Sequence, residues 1–262
     1  MKRLAVLGHP VGHSRSPAMH NAALAALGLD DWHYEAIDIA PDRFEETVLE
    51  MAGGEFAGAN VTVPHKGAAL AVADSLSEVA REVGAANTLA FADGQVTAYN
   101  TDADGFLSSL PDAVDRSKAL VLGAGGAARA VVWALVREGA GVEVWNRTGL
   151  RSENLCAELG GTPVSSPDAG GYELIVNATA VGLGGEDPFA ELPLHAEDFN
   201  DGQIVVDLVY GSEPTALVAA AQAGGARTVD GIEVLVRQGA ASFEVWTGRE
   251  APLAEMREAA RA

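Results

Sequence analysis

The sequence predicts an α/β protein of two lobes: an N-terminal α/β lobe and a second lobe built as a doubly wound parallel sheet. Three observations predict it. Strand-like and helix-like segments alternate almost without pause. The alternation halts at a hairpin pattern, NTLAFADGQVTAYNTD, and restarts at Lys118. The restart opens with an apolar strand that runs through a glycine-rich turn into a helix, and parallel strands joined by right-handed helical crossovers wind on both faces of a sheet. With 262 residues, 48% of them hydrophobic, and 30 glycines between mostly short apolar runs, the chain can bury two modest cores.

In order, RLAVLG reads as a buried strand and SPAMHNAALAALG as a helix, with Ser16 at the N-cap, Pro17 at the first helical position and Gly28 near the stop. WHYEAID is a strand, PDRFEETVLEMAG a helix and GANVTV a strand. Shorter helices then lead to the hairpin, which turns at Asp93-Gly94. In the second lobe ALVLGA, GVEVWN, ELIVNAT and QIVVDLVY are strands, and GAARAVVWALVREG, LRSENLCAELG and TALVAAAQAGG are helices. The final helices, IEVLVRQGAASFEVW and PLAEMREAA, are expected to pack back on the first lobe. The expected domains are residues 1–101 plus 239–262 and residues 102–238, with no long linker and a cleft between them.

Charge narrows the function. Seventeen Lys and Arg against 37 Asp and Glu give a formal net charge of −20, which argues against nucleic-acid binding through phosphate neutralisation. The same background makes any local basic cluster conspicuous, because an anionic ligand needs placed cations to overcome a repulsive field. No apolar run approaches the roughly 20 residues that cross a bilayer, and the opening MKRLAVLGHP breaks at Gly8 and Pro10, too early for a signal peptide. The expected setting is the cytoplasm, with no membrane partner. The single cysteine, Cys156, has no His or Cys beside it and reads as structural, with no metal.

The glycine motif GAGGAA spans Gly123, Ala124, Gly125, Gly126, Ala127 and Ala128. Gly123 permits a tight turn, Gly125 lets the backbone approach a pyrophosphate, and Ala128 allows close helix packing, as in a Rossmann-type dinucleotide site. A glycine turn that merely bends the chain is the plainer alternative; the flanking strand, helix and second strand favour the nucleotide. That second strand ends at Asn146, where an acid would hold the free ribose hydroxyl of NAD. Here Arg147, Thr148 and Arg151 follow in VWNRTGLR. Guanidiniums bind a 2′-phosphate through charge-assisted bidentate bonds, so the expected cofactor is NADP. Read alone, the two arginines would be ordinary solvated surface residues.

The first lobe carries the odder polar residues. Ser14 and Ser16 precede a helix N-terminus, which favours an anion such as a carboxylate, although Ser16 by itself reads as a helix cap. Asn60 and Thr62 share one face of a strand by its period of two, and Lys66 lies just past its end beside Pro64. Asn87 and Asp102 stand at the ends of apolar runs. An amide, a hydroxyl, an ammonium and a carboxylate suit a polyhydroxylated ring acid.

Nine stretches, GHPVGHSRSPAMHN, GANVTVPHK, GAANT, NTDADGF, GAGGAARA, NRTGLR, NATAVGL, DLVY and RQGAASFEVWTG, lie in the order and spacing of one family. The chain resembles the NADP-dependent shikimate dehydrogenases. That resemblance implies reversible reduction of 3-dehydroshikimate to shikimate with NADPH, on the route to chorismate and the aromatic amino acids. It implies that Ser14 and Ser16 hold the substrate carboxylate and that Asn60, Thr62, Asn87, Tyr210 and Gln238 bind its other polar groups. Lys66, as general acid and base, and Asp102 would flank the reacting oxygen. It places the adenosine phosphate on Asn146 to Arg151, the glycine turn and Thr179 on the cofactor, Glu78 and Leu208 near it, and Gly231 by the nicotinamide.

Four positions depart from the family's usual pattern: Glu233 for a glycine, Val234 for a methionine, Ala180 for a serine and Leu183 for a methionine. They bear on nicotinamide packing rather than reaction class. Two rival readings stand beside this one. A quinate/shikimate dehydrogenase would often prefer NAD, against which Arg147 and Arg151 count. A sensor that binds without turnover would have no need of Lys66 with Asp102, and no DNA-binding extension is read. The expected partners are a small-molecule substrate and, among proteins, a second copy of the chain as a homodimer.

Overall fold

A computed structural model describes residues 1–111, 113, 114 and 116–262. Two sheets organise them, each within its own compact unit: Met1–Gly105 with Leu235–Ala262, and Phe106–Val234. In this division Asp102 and Gln238 belong to the first unit.

The first unit runs β1 (Lys2–Gly8), α1 (Ser16–Ala26), β2 (Trp32–Asp38), a 3-10 turn at Pro41–Arg43, α2 (Phe44–Ala52), β3 (Phe56–Val61), α3 (Lys66–Val72), β4 (Ser75–Leu76), α4 (Glu78–Val83), β5 (Thr88–Ala92), β6 (Gln95–Tyr99) and the start of α5 (Asp102–Ser109). Its sheet has the order β2-β1-β3-β5-β6-β4. β1 is parallel to β2 and β3, while β5 is antiparallel to β3 and β6. The hairpin turns where expected: Asp93 and Gly94 have φ of 52 and 75, the left-handed pair that a two-residue hairpin turn requires. Leu7, Phe44, Val48, Val61 and Leu89 form the core of one face.

The second unit runs β7 (Lys118–Leu122), α6 (Gly126–Arg137), β8 (Gly141–Trp145), α7 (Gly149–Leu159), β9 (Thr162–Pro163), β10 (Leu174–Asn177), α8 (Pro188–Glu191), β11 (Ile204–Asp207), α9 (Ala216–Ala223) and β12 (Arg227–Val229). All of its strands are parallel, in the order β12-β11-β10-β7-β8-β9. This is the doubly wound order, which reverses direction between β7 and β10. Every residue of β10 and β11 is buried, because helices cover both faces of such a sheet; hence the unbroken apolar runs in the sequence. Leu120, Ile175, Val205 and Leu217 anchor its core. The chain then enters α10 (Gly231–Thr247), which passes from the second unit into the first, and α11 (Leu253–Arg261), which packs on α1.

Several local expectations are corrected. Ser16 is the first helical residue of α1 and Arg15 occupies the cap position without a side-chain cap hydrogen bond; the backbone N–H of Ser16 donates to Ser14 Oγ at 3.2 Å. β3 ends at Val61, and Thr62 opens a turn whose carbonyl accepts from His65 N at 2.9 Å. Lys66 begins a helix rather than trailing a strand, and Asp102 likewise begins one.

Candidate active site

The centre of the first unit's polar residues is an ion pair. Lys66 Nζ lies 2.7 Å from Asp102 Oδ2, with the side chains 13% and 18% exposed. Lys66 is set by the start of α3. The preceding His65 stacks on Phe44 at 4.5 Å and its Nε2 lies 2.8 Å from the Ile39 carbonyl, while Ala86 N donates to the Lys66 carbonyl at 3.0 Å. Asp102 is set by Asn100, whose Oδ1 accepts the backbone N–H groups of Asp102 and Ala103 at 3.1 and 3.2 Å and so satisfies the open end of α5.

Asn87 joins this pair to its neighbours. Its Nδ2 has two protons for three acceptors within reach, Asp102 Oδ1 and Thr101 Oγ1 at 2.9 Å and the more distant Gln238 Oε1 at 3.1 Å, and its Oδ1 accepts from Thr101 N at 2.7 Å. Gln238 reaches it because α10 crosses α5 at Gly105, where a Cβ would stand 2.6 Å from the Gln238 backbone. The structure therefore brings Lys66, Asn87, Asp102 and Gln238 into one cluster. Asn60, 5% exposed, lies behind it: its Oδ1 accepts from the Tyr34 hydroxyl at 2.8 Å, and its Nδ2 lies nearest Ser242 Oγ at 2.9 Å, with the Asn87 carbonyl and Thr88 Oγ1, both at 3.2 Å, sharing its second proton. Thr62 is half-buried, Ser14 pairs with Ser16, and Glu78 opens α4 on the surface, outside these contacts.

Sequence reasoning missed Thr88, Thr101 and Ser242, which are 0%, 6% and 0% exposed. It also missed His20. That ring is fully buried, stacked on Tyr34 at 4.3 Å, and neither nitrogen has a hydrogen-bond partner among the described residues. Burial drives its pKa down to about 3, with the nearby Asn60 amide holding back the fall.

In the second unit the glycine turn lies at the carboxyl end of β7. Gly123 has φ +114, and a Cβ there would stand 2.9 Å from the Ala178 carbonyl, so both backbone and packing demand glycine. Gly125 differs: its φ is −91, and a Cβ there would meet nothing within 4 Å. The protein itself does not require a bare backbone at Gly125, whereas a pyrophosphate laid on it does. Gly126 and Ala127 follow as the first turn of a 12-residue helix with no side-chain cap, and Ala128 is fully buried against the sheet. At the end of β8, Asn146 Nδ2 donates to the Thr148 carbonyl at 2.9 Å and shapes the turn. Arg147, its side chain 82% exposed, touches only Glu191 at 3.5 Å; Arg151 is exposed and its guanidinium has no partner among the described residues. These residues fit a phosphate.

A further knot closes the ends of β10 and β11. The buried Asp207 carboxylate accepts from Asn177 Nδ2 at 2.9 Å, Val209 N at 3.0 Å and Thr215 Oγ1 at 2.6 Å. Thr179 Oγ1 donates to Asn177 Oδ1 at 2.7 Å. Burial raises the Asp207 pKa from its ordinary value, and these hydrogen bonds oppose the rise. A Cβ on Gly231 would stand 2.7 Å from the carbonyls of Leu208 and Val209. Thr179, Leu208 and Gly231 thus gather at the strand ends, and Tyr210 follows from the same segment.

An all-parallel sheet in this order, with a glycine turn at its reversal point and two exposed arginines after the second strand, defines a dinucleotide-binding α/β protein of the NADP type. Residues 6–89 match the model of the shikimate dehydrogenase substrate binding domain, residues 107–177 that of shikimate / quinate 5-dehydrogenase, and residues 231–261 that of the shikimate 5′-dehydrogenase C-terminal domain. A shikimate dehydrogenase (NADP(+)) of an Anaeromyxobacter species (strain Fw109-5) is 47% identical over 266 residues, 96% of this chain and 92% of the relative. That of Methanocella arvoryzae is 43% identical over 268 residues, 98% and 97%. The crystal structure of shikimate 5-dehydrogenase from Thermus thermophilus, in complex with NADP(H) and shikimate, superposes with a TM-score of 0.91 at 44% identity, covering 100% of this chain and 99% of that one. The chain belongs to the shikimate dehydrogenase family.

Proposed function

We propose that the chain catalyses the reversible, NADPH-dependent reduction of 3-dehydroshikimate to shikimate, a step toward chorismate and the aromatic amino acids. Its full-length likeness to shikimate dehydrogenases (NADP(+)) supports the reaction. The observation that carries the chemistry is the shielded Lys66–Asp102 pair, 2.7 Å apart.

When bound, NADPH supplies the hydride, and the turn at Gly123 to Ala127 with Asn146, Arg147, Thr148 and Arg151 would hold its phosphates. Reduction of a ketone leaves negative charge on oxygen, so a proton donor within hydrogen-bond reach lowers the barrier. Lys66 fills that role: its ammonium gives a proton to the oxygen as the alkoxide forms. Asp102 fixes the ammonium through Oδ2 and accepts a hydrogen bond from the product hydroxyl, while Asn87 holds the other carboxylate oxygen. In the oxidation direction, neutral Lys66 takes the hydroxyl proton. Ser14 and Ser16 receive the ring carboxylate; Thr62 and Gln238 receive its hydroxyls. The strongly negative surface supports a partner set without nucleic acid. Among the described residues no helix is long and apolar enough to cross a membrane, and we place the enzyme in the cytoplasm, where a lone free cysteine, Cys156, is ordinary.

The test is reduced-nicotinamide absorbance with shikimate or quinate, each with NADP or NAD. Turnover with shikimate and NADP alone is expected; comparable use of quinate or NAD points to the broader relative, and binding without turnover overturns the reading. Lys66→Ala should lower kcat by about 10²–10⁴-fold and leave NADP affinity, measured by direct titration, near wild type. A variant with normal turnover removes Lys66 from the mechanism.

A further inference from the structure

We propose that Ser242, on α10, is a positioning residue for the Lys66–Asp102 pair, a role that rests on the reading of that pair as the acid/base site. A serine inside a helix usually hydrogen-bonds back to its own helix, and Ser242 does so, with Oγ 3.1 Å from the Gln238 carbonyl. It also meets three groups from other elements: Asn60 Nδ2 of β3 at 2.9 Å, Thr88 Oγ1 of β5 at 2.8 Å, and Thr101 Oγ1, just before α5, at 3.0 Å. The site is dry, since Ser242 and Thr88 are 0% exposed.

Proton counting assigns directions. A hydroxyl has one proton and two lone pairs. Asn60 Nδ2 can only donate, so it occupies one lone pair of Ser242. Thr101 Oγ1 accepts from Asn87 Nδ2 at 2.9 Å, so its own proton turns elsewhere, and Ser242 Oγ is nearer than the alternatives, Thr88 Oγ1 at 3.2 Å and Asn87 Oδ1 at 3.3 Å. Both lone pairs of Ser242 are then filled, and its proton goes to Thr88 or the Gln238 carbonyl. Ser242 thereby keeps Thr101 turned as an acceptor toward Asn87, and Asn87 keeps its amide on Asp102 Oδ1. Removing the hydroxyl frees the Thr101 proton to turn toward Asn87 and loosens the amide that holds the carboxylate.

The experiment measures kcat, the KM for shikimate and the KM for NADP in Ser242→Ala, Thr88→Val and Thr88→Ser. Ser242→Ala is expected to lower kcat about ten-fold, as a small misplacement of reacting groups does, with the KM for NADP within about two-fold. Thr88→Val, isosteric but without the hydroxyl, should shift kcat the same way, and Thr88→Ser, which restores the hydroxyl, should stay within about two-fold of wild type. Wild-type kcat in folded Ser242→Ala overturns the proposal; so does an equal loss in both Thr88 variants, which would mark packing as the cause. If Ser242→Ala fails to fold, the Thr88 pair decides. Lys66→Ala and Asp102→Asn run alongside: undiminished turnover in these overturns the acid/base reading, whereas their loss with a silent Ser242→Ala overturns only the present inference.

Discussion

In the first unit, the polar groups around Lys66 are held by one another: Asn60, Asn87, Thr88, Thr101 and Ser242 are each no more than 6% exposed, and each has a partner from another element. In the second, the groups we assign to the cofactor stand in the open, with Arg147 82% exposed at its side chain and a glycine turn that offers backbone. The contrast separates two ways of building a site. Buried hydrogen bonds strengthen in a low dielectric and fix geometry before a ligand arrives, so errors there reach the rate. Exposed cations act on whatever anion comes within reach, so errors there reach affinity and yield to salt.

The largest effect expected from that contrast concerns stability. His20 is buried without a hydrogen bond among the described residues, its pKa lowered from 6.5 to about 3. A depressed folded value means that the stabilisation is present above the unfolded value of 6.5 and lost as pH falls toward 3, because the unfolded ring takes up a proton that the folded one refuses. At about 1.4 kcal/mol per pH unit, wild type should lose roughly 2–3 kcal/mol to this ring between pH 6.5 and pH 4.5. His20→Leu should flatten that part of the curve in urea unfolding, and parallel losses in both proteins would contradict it. In the second unit Asp207 has the opposite sign: its folded value is raised, so its favourable contribution is full below 3.8 and lost as pH rises through the raised value.

Next in size is the cofactor pocket. Arg147→Ala and Arg151→Ala should each raise the KM for NADP by about ten-fold, the worth of a charge-assisted hydrogen bond at a partly solvated site. Neither should change the KM for NAD by more than about two-fold, and kcat at saturation should hold. An equal effect on both cofactors would remove the arginines from phosphate recognition and erase the distinction between the two units.

How visible these features were in the sequence follows from the same physics. β10 and β11 were legible because strands buried on both faces leave unbroken apolar runs, and the glycine turn was legible because its backbone demands are local. Read from the residues, Lys66 and Asp102 stand singly at the ends of apolar runs, and only the family resemblance paired them: their bond joins residues 36 apart and depends on His65 wedging the start of α3 and Asn100 closing the start of α5. Ser242 was invisible for a similar reason: in sequence it is one serine in a helix, and its partners come from β3, β5 and the turn before α5. Ser16 was misjudged as a cap because Pro17 marks the first turn of a helix without fixing where the helix begins; it begins at Ser16, with Arg15 in the cap position. Strands β4, β9 and β12, two or three residues long, are too short to carry a period of two.

The smallest effect sharpens the contrast most directly. A net charge of −20 repels both anionic ligands over long distances. Salt at about 0.1 M shortens the reach of that field to about 10 Å, while the contacts within a few ångströms that we propose for Arg147 and Arg151 would be weakened less. Raising salt from about 0.01 to 0.1 M should therefore lower the KM for NADP by about two- to three-fold, and further addition toward 1 M, where screening acts at about 3 Å, should raise it again. In Arg147→Ala/Arg151→Ala the first fall should remain and the later rise should vanish, because only the repulsive background is left to screen. Throughout, kcat should change little, since the Lys66–Asp102 pair and the groups behind it are shielded from solvent. A kcat that tracks salt as steeply as the KM would show that the buried network is open to ions, contrary to its burial.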